Sequence, residues 1–280
     1  MKKCIVLYSG GLDSRLAVKI MQERGFEVEA LHFALPFGCG CCNFNCNFKF
    51  TQLGGVKFSV LDVTKGNLLK EYLKILKKPK YGVGAGVNPC RDCKVFMFKK
   101  AKEYANEKGI EVIATGEVTG QRPMSQTSHA MKIIDEAIGF ELVRPLIEVG
   151  AKGRNRKKQI ELAQKYDITY PTPGGGCALC EKELAKRFRV LFDNNLINDA
   201  TLPLSLVGRH FWIDGVWIIV ARDEKECVVI ENSSGFLPGE KGKPAVYFSK
   251  KKGEKNARKL QEVYGARDTK GIEKFGEFKL

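Results

Sequence analysis

Two kinds of residue in this chain are spaced for chemistry. The first is the run Ser9-Gly10-Gly11-Leu12-Asp13-Ser14, directly after the apolar stretch Cys4 to Tyr8. Glycines here leave backbone N–H groups uncovered, and the positive end of a following helix would add to their pull on a pyrophosphate. Neither Gly10 nor Gly11 has a Cβ to crowd such an anion or restrict φ. Asp13 can hold Mg²⁺ against phosphate oxygens, and the hydroxyls of Ser9 and Ser14 can donate hydrogen bonds. No Gly-Lys-Ser/Thr follows, which excludes a Walker A loop, and a dinucleotide Gly-x-Gly-x-x-Gly is also missing.

The second kind is cysteine, of which the chain has 10. Cys90-Arg-Asp-Cys93 follows Asn88-Pro89 and precedes a helical pattern. A thiol at a helix N-terminus is expected to have a lowered pKa, because the partial positive charge there favours thiolate. Cys177-Ala-Leu-Cys180 follows Pro171-Thr-Pro-Gly-Gly-Gly, a loop whose glycines allow close approach of a ligand. Two such pairs could form a tetrahedral Cys₄ site for Zn²⁺. Their separation is longer than a zinc ribbon needs and suits a site assembled at the mouth of a sheet. A third group, Cys39, Cys41, Cys42 and Cys46, has ligand-like density, and a metal site and a set of solvent-facing thiols stay equally open.

The elements that must position these residues can be read from periodicity. Cys4 to Tyr8 is a short strand, and from Leu12 the spacing turns helical, with Leu12, Leu16, Ile20 and Met21 on one face. Glu27–Phe33, Val56–Val63 and Glu111–Thr115 read as further strands, with helices at about Leu68–Lys77 and Lys94–Lys108 between them. This alternation predicts an α/β fold with a parallel sheet covered on both faces. Ligands in such sheets sit beyond the carboxyl ends of the strands, where Ser9–Ser14, His32–Phe37 and Thr115–Gln126 would converge. His32, Phe33, Thr115 and Gly116 are therefore candidates to line a nucleotide, with a satisfied strand-end histidine an equal reading of His32. The polar loop Gln121–Gln126, with Arg122 and Ser125, is a candidate substrate clamp.

Three stretches together carry a resemblance. Ser-Gly-Gly-x-Asp-Ser after a strand resembles the PP-loop of ATP pyrophosphatases. Behind it come Asn-Pro-Cys90-x-x-Cys93-Lys, Ala-Thr-Gly-Glu-Val-x-Gly-Gln-Arg-Pro-Met-Ser-Gln126 and Pro-Thr-Pro-Gly-Gly-Gly-Cys177. In that order they resemble the tRNA thiouridine synthases over roughly residues 1–190. The resemblance implies an adenine-nucleotide α-hydrolase-like domain that uses ATP to adenylate a uridine carbonyl oxygen, after which sulfur displaces AMP. It further implies three thiolates, Cys90, Cys93 and Cys177, holding a [4Fe–4S] cluster whose open iron carries sulfide, which agrees with thiolate chemistry. A rival within the same activity uses one cysteine as a persulfide and another to resolve it as a disulfide. Cys180 is extra for three-ligand binding and keeps the zinc and persulfide readings open. Gly116-Glu117 stands where the more familiar thiouridylases carry Gly-His, so that histidine's contacts do not transfer.

Charge points to the partner. The net charge is +15 at pH 7, and residues 241–280 hold 12 Lys/Arg against 5 Asp/Glu. Such a balance suits a polyanion such as RNA, or else a solvated basic surface. A basic helix candidate at Ala151–Tyr166 includes Arg154 and Arg156, which could touch phosphates or merely face water. Around Asn194–Thr201 the composition turns polar, placing a boundary between a domain of residues 1–195 and a smaller α+β domain of residues 196–280. A short helix at Glu183–Leu191 closes the first domain, and the second has expected strands at Leu204–Val207, Val216–Ala221 and Cys227–Glu231, then a helix near Ala257–Tyr264. Val207-Gly-Arg-His210 with Val216-Trp-Ile-Ile-Val-Ala-Arg222 resembles the NFACT-R type of RNA-binding domain. On that resemblance Arg209, His210 and Arg222, beside exposed Phe211 and Trp212, would meet RNA, while Trp217 reads as buried on a strand.

The expected partners are tRNA and a sulfur donor, whether sulfide, a persulfide or a carrier protein, with a homodimer left open. No apolar run approaches membrane-spanning length and no signal peptide is present, so a cytoplasmic protein is expected. Two other functions fit part of the pattern. One is an amide-forming or lysidine-type PP-loop ligase, which would not need the cysteines. The other is an RNA-binding protein whose nucleotide pocket is passive.

Overall fold

Strand β1 (Lys3–Leu7) runs into the turn at Ser9–Gly11 and then into helix α1 (Leu12–Glu23). The computed structural model in which these lie describes residues 1–38, 55–121, 124–170 and 176–280. After α1 come β2 (Glu27–Ala34), β3 (Lys57–Asp62), α2 (Gly66–Lys77), α3 (Cys90–Glu107) and β4 (Val112–Thr115). The four strands pair in the order β3-β2-β1-β4. All pairings are parallel, with Leu7 opposite both Leu31 and Thr115. The carboxyl ends of the strands therefore share one edge, as expected. The α/β reading with a parallel sheet holds.

Helix α1 is buried on two faces. Ala17, Val18 and Met21 join Cys4, Val6, Tyr8 and Ala30 of the sheet. Leu12, Leu16 and Ile20 pack instead with Val118, Leu146, Ala151, Leu162 and Ala163. Val118 lies between β4 and α4 (Ser128–Ile138), and the other partners come from α5 (Pro145–Glu148), the loop after it, and α6 (Lys157–Lys165). The expected basic helix over Ala151–Tyr166 is thus shorter at its start. Gly153 at φ 73° and Arg156 at φ 54° take left-handed conformations that a helix cannot contain.

The chain divides into Met1–Lys182 and Glu183–Leu280, so α7 (Ala185–Asp193) counts with the second unit rather than with the first. That unit holds β5 (Arg209–Ile213), β6 (Val216–Val220), α8 (Glu224–Glu231), β7 (Phe236–Leu237), β8 (Val246–Phe248), α9 (Glu254–Gly265) and α10 (Thr269–Glu273). Its strands form an antiparallel sheet in the order β5-β6-β8-β7. Ala257 and Leu260 of α9 pack on Phe211, Ile213, Val216, Ile218 and Val246.

Three expectations in this unit are corrected. Cys227–Glu231 is helical, because Asp223 caps α8 by accepting from the Glu226 N–H at 3.0 Å. Leu204–Val207 is not a strand, since Pro203–Leu206 forms a 3₁₀ turn. Phe211, expected to be exposed, is 1 % exposed within the core. Among the described residues no helix is long and apolar enough to cross a membrane.

Candidate active site

The turn between β1 and α1 is held by its own polar groups. Ser14 Oγ donates to Gly11 O at 2.8 Å, and Arg15 Nε donates to Gly10 O at 2.8 Å. Gly10 sits at φ 84°, where a Cβ is strained. Gly11 does not need glycine for conformation: its φ is −75°, and an added Cβ would meet Ser9 Oγ at an ordinary 3.6 Å. Gly11 begins α1 without a side-chain cap, which leaves the positive end of the helix facing the turn. Arg15 is 4 % exposed and buttresses the turn from beneath, a role its sequence position in an amphipathic helix did not signal. Burial pushes the Asp13 carboxyl up, while Arg156 and Gln159 pull it down.

A short chain of contacts ties this turn to the cysteines. Gly116, just beyond β4, lies against α1, and a Cβ there would come within 2.6 Å of the Asp13 carbonyl. Its neighbour Glu117 is 4 % exposed and carries an ion pair to Lys94, the residue after Cys93. The other Glu117 oxygen accepts from Arg144 Nε at 3.0 Å, and Arg144 in turn donates to Asp135 at 3.1 and 2.5 Å. Glu117 thereby clamps the first turn of α3 to the carboxyl end of β4.

Cys90 and Cys93 occupy that first turn, with Cys93 N bonded to Pro89 O at 2.8 Å. Cys177 caps and Cys180 ends a 3₁₀ turn, Ala178–Cys180, that docks on the preceding loop. Val87 N donates to Leu179 O at 2.9 Å, and Ala178 N donates to Phe37 O at 3.0 Å. Gly86 permits that approach, since a Cβ there would overlap the backbone of Leu179 and Cys180. Tyr72 Oη lies 3.2 Å from Cys93 Sγ, and Asn88 Nδ2 donates to Cys90 Sγ at 3.2 Å.

The thiols feel one another. Burial pushes Cys93 up to about 11 and Cys177 up to about 12, with Cys90 adding to both shifts. Burial also raises Cys180, followed by the Cys90 thiol beside it. The expected lowering at the α3 N-terminus is thus reversed at Cys93, where loss of water outweighs the helix. Four sulfurs gather here, a donor set suited chemically to soft metals. Among the described residues, though, no three His, Cys, Asp or Glu side chains stand ready to hold a metal ion.

The other candidates fall as follows. His32 is 9 % exposed, its Nδ1 lies 2.9 Å from Tyr8 O, and its ring stacks with Phe58. Phe33 and Thr115 are buried at the ends of β2 and β4. Ser125 is buried with its hydroxyl unpartnered, and Gln126 accepts from Val118 N at 2.8 Å. Gln121 Nε2 is likewise enclosed without a partner. Arg122, Cys39, Cys41, Cys42, Cys46 and the stretch 171–175 lie outside the described residues. Arg154 is exposed, whereas Arg156 has an enclosed Nε and acts on Asp13.

In the second unit His210 does not reach the surface. It is 0 % exposed, accepts from Trp217 Nε1 at 2.9 Å and donates to Val207 O at 2.7 Å, so it braces the sheet instead of meeting RNA. Trp217 is buried as expected. Arg209 lies over the Tyr264 ring at 5.0 Å, and Arg222 pairs with Glu226. Arg187, which the sequence did not single out, is depressed to about 10 by burial and by Arg222. Its enclosed Nε has no hydrogen-bond partner.

A family model described as thiamine biosynthesis protein (ThiI) matches residues 1–186. A probable tRNA sulfurtransferase of Finegoldia magna is 30% identical over 169 residues, covering 60% of this chain and 40% of that protein. A probable tRNA sulfurtransferase of Halothermothrix orenii is 31% identical over 183 residues, with the same coverage. The chain thus spans about 40% of the length of these curated relatives. A solved structure described as a predicted subunit of tRNA methyltransferase from Methanocaldococcus jannaschii aligns at TM-score 0.41 and 14% identity, over 71% of this chain and 90% of that one.

Proposed function

The chain belongs to the family described as thiamine biosynthesis protein (ThiI), and we propose that it is an ATP-dependent tRNA thiolase. ATP binds at Ser9–Ser14 with its phosphates at the N-terminus of α1. A uridine carbonyl oxygen attacks the α-phosphorus, pyrophosphate leaves with the bonding electron pair, and sulfur later displaces AMP from the ring. The observation that carries this reading is the contact chain Asp13–Gly116–Glu117–Lys94–Cys93, which sets the nucleotide turn and the thiols at one end of one sheet. The similarity to probable tRNA sulfurtransferases supports the same substrate class.

For the sulfur, Cys90, Cys93 and Cys177 would hold a [4Fe–4S] cluster, which when bound supplies an iron that carries sulfide. A second reading is favoured by Cys180 lying beside Cys90. There one thiolate of the pair takes the outer sulfur of a persulfide donor, which leaves as a thiolate. That sulfur displaces AMP from the activated ring carbon. The second thiolate attacks the inner sulfur, so that the S–S bond breaks, the thiouridine leaves with the outer sulfur and the two cysteines close a disulfide. Exposed lysines and Arg209 of the second unit would grip tRNA phosphates, and the target base must leave its stack to be adenylated. Such work belongs in the cytoplasm.

The test is anaerobic purification with iron and labile-sulfide analysis, then incubation with unmodified tRNA, ATP and sulfide. Thiouridine found by nucleoside mass spectrometry, with equimolar pyrophosphate, is the expected result. Serine replacement of Cys90, Cys93 or Cys177 should abolish it. Full activity in all three variants would move the chain to the amide-forming or lysidine-type ligases. No pyrophosphate release with tRNA would leave a passive RNA-binding protein.

A further inference from the structure

Helix α6 brings polar groups to the nucleotide turn that the thiolase reading has not used. Gln159 is 0 % exposed, and neither Nε2 nor Oε1 has a hydrogen-bond partner. Its amide nevertheless lies close enough to Asp13 to favour the ionised carboxylate. Asp13 Oδ1 is itself enclosed and unpartnered, as is Arg156 Nε. Buried polar groups are almost always satisfied, and three unsatisfied side chains meeting at one place mark a ligand. Arg156 also begins α6 in the left-handed region, at φ 54° and ψ 15°, a strained conformation for a residue with a side chain.

The groups specify what they lack. Arg156 Nε–H and Gln159 Nε2–H need acceptors, whereas Asp13 Oδ1 and Gln159 Oε1 need a donor or a cation. A polyphosphate carrying its divalent cation offers both. The N-termini of α1 and α6 add positive potential on the same side. An RNA backbone phosphate fits less well, because the groups are enclosed between packed helices while Arg154, two residues earlier, is the exposed one.

We propose that Arg156 and Gln159 form the pyrophosphate-facing wall of the nucleotide site. The Arg156 guanidinium takes an oxygen of the β,γ-diphosphate and balances its charge as the bond to the α-phosphorus breaks. The Gln159 amide orients Asp13 and donates to the same anion. This rests on the ATP reading above, and it moves Arg156 from the RNA-binding set to the nucleotide set.

Titration calorimetry of the full chain with magnesium pyrophosphate, and separately with AMP, tests it. Arg156→Ala should weaken pyrophosphate binding about 10- to 100-fold, as for a lost charge-assisted hydrogen bond, and leave AMP within about twofold. Arg156→Lys should recover part of the loss, and Gln159→Leu should weaken pyrophosphate more than AMP. The tRNA salt slope should be the same for Arg156→Ala and the wild type. Thermal melting checks folding, and should Gln159→Leu unfold, the Arg156 pair still decides. Wild-type pyrophosphate affinity in Arg156→Ala would overturn the inference alone, whether water fills the cleft or the residue touches RNA. A wild-type chain that binds neither pyrophosphate nor AMP would overturn the ATP reading with it.

Discussion

Replacing Glu117 by Ala removes one carboxylate and strands two cations. Lys94 and Arg144 both have side chains only 14% exposed, and Glu117 is their common partner. Breaking a buried ion pair from one side costs about 3–5 kcal/mol, because the remaining charge stays desolvated. Arg144 keeps its two bonds to Asp135, so most of the loss falls on Lys94 and the lower end applies, about 3 kcal/mol. For a unit the size of Met1–Lys182 that is a fall in Tm of about 6–12 °C. The chain's 2 tryptophans, Trp212 and Trp217, both lie in Glu183–Leu280. Tryptophan fluorescence therefore reports the second unit, and calorimetry with far-UV circular dichroism is needed for the first. The calorimetric transition of the first unit should drop while the fluorescence transition stays. Adding Lys94→Met to Glu117→Ala should return part of the loss by deleting the stranded cation. A drop under about 2 °C, or strictly additive losses in the double variant, would refute the clamp.

Four further outcomes follow from the same geometry. Burial opposes ionisation of Glu29, but Ser59, Tyr104, Lys57 and Lys108 outweigh it and hold the carboxyl near about 2. Its stabilisation is complete above pH 4.5 and fades as pH falls toward 2, so Glu29→Gln should flatten the acid limb of the first unit's Tm profile. Burial, with Arg187 adding, holds His210 well below 6.5 and neutral, so the second unit should lose stability as pH drops below 6.5. His210→Gln should remove that slope in the fluorescence transition. Gly116→Ala forces its Cβ onto the Asp13 backbone, and pyrophosphate release should fall at least tenfold with the tRNA affinity unchanged, as filter binding would show. Arg154→Ala, at an exposed position, should lower the slope of log K against log salt for tRNA by about 0.9 and leave ATP affinity alone.

What could be read from the chain was local, and what could not was long-range. The switch from Cys4–Tyr8 to Leu12-Leu16-Ile20 spans one turn of chain, so the strand, the glycine turn and α1 were legible within a residue. Val228-Val229-Ile230 misled because β-branched residues in a row favour a strand. Asp223 with Glu226 is the local signal that settles the matter, a cap and its N3 partner ahead of the run. Glu117 is different in kind. It stands where the resemblance would put a histidine and so looked like a loss, yet its partners sit at Lys94 and Arg144, far away in sequence. Nothing near residue 117 announces them.

Gln159 lies between these cases. In the lysine-rich segment from Arg154 it reads as surface, and composition leaves the stretch open to phosphates or to water. Spacing says otherwise: Gln159, Leu162, Ala163 and Tyr166 recur at the intervals of one helical face, and Leu162 and Ala163 are core. A polar residue on the apolar face of an amphipathic helix must be satisfied by something. Because α6 packs on α1, Gln159 lies beside Asp13 at the turn between β1 and α1. The basic segment thus has two sides, an outer one with Arg154 exposed and an inner one with Gln159 buried beside Asp13, and the proposal above gives them separate duties. On the thiolase proposal, activating a base on a polynucleotide needs both kinds of phosphate contact. Telling them apart requires knowing which helix face is buried, and here one glutamine decides it.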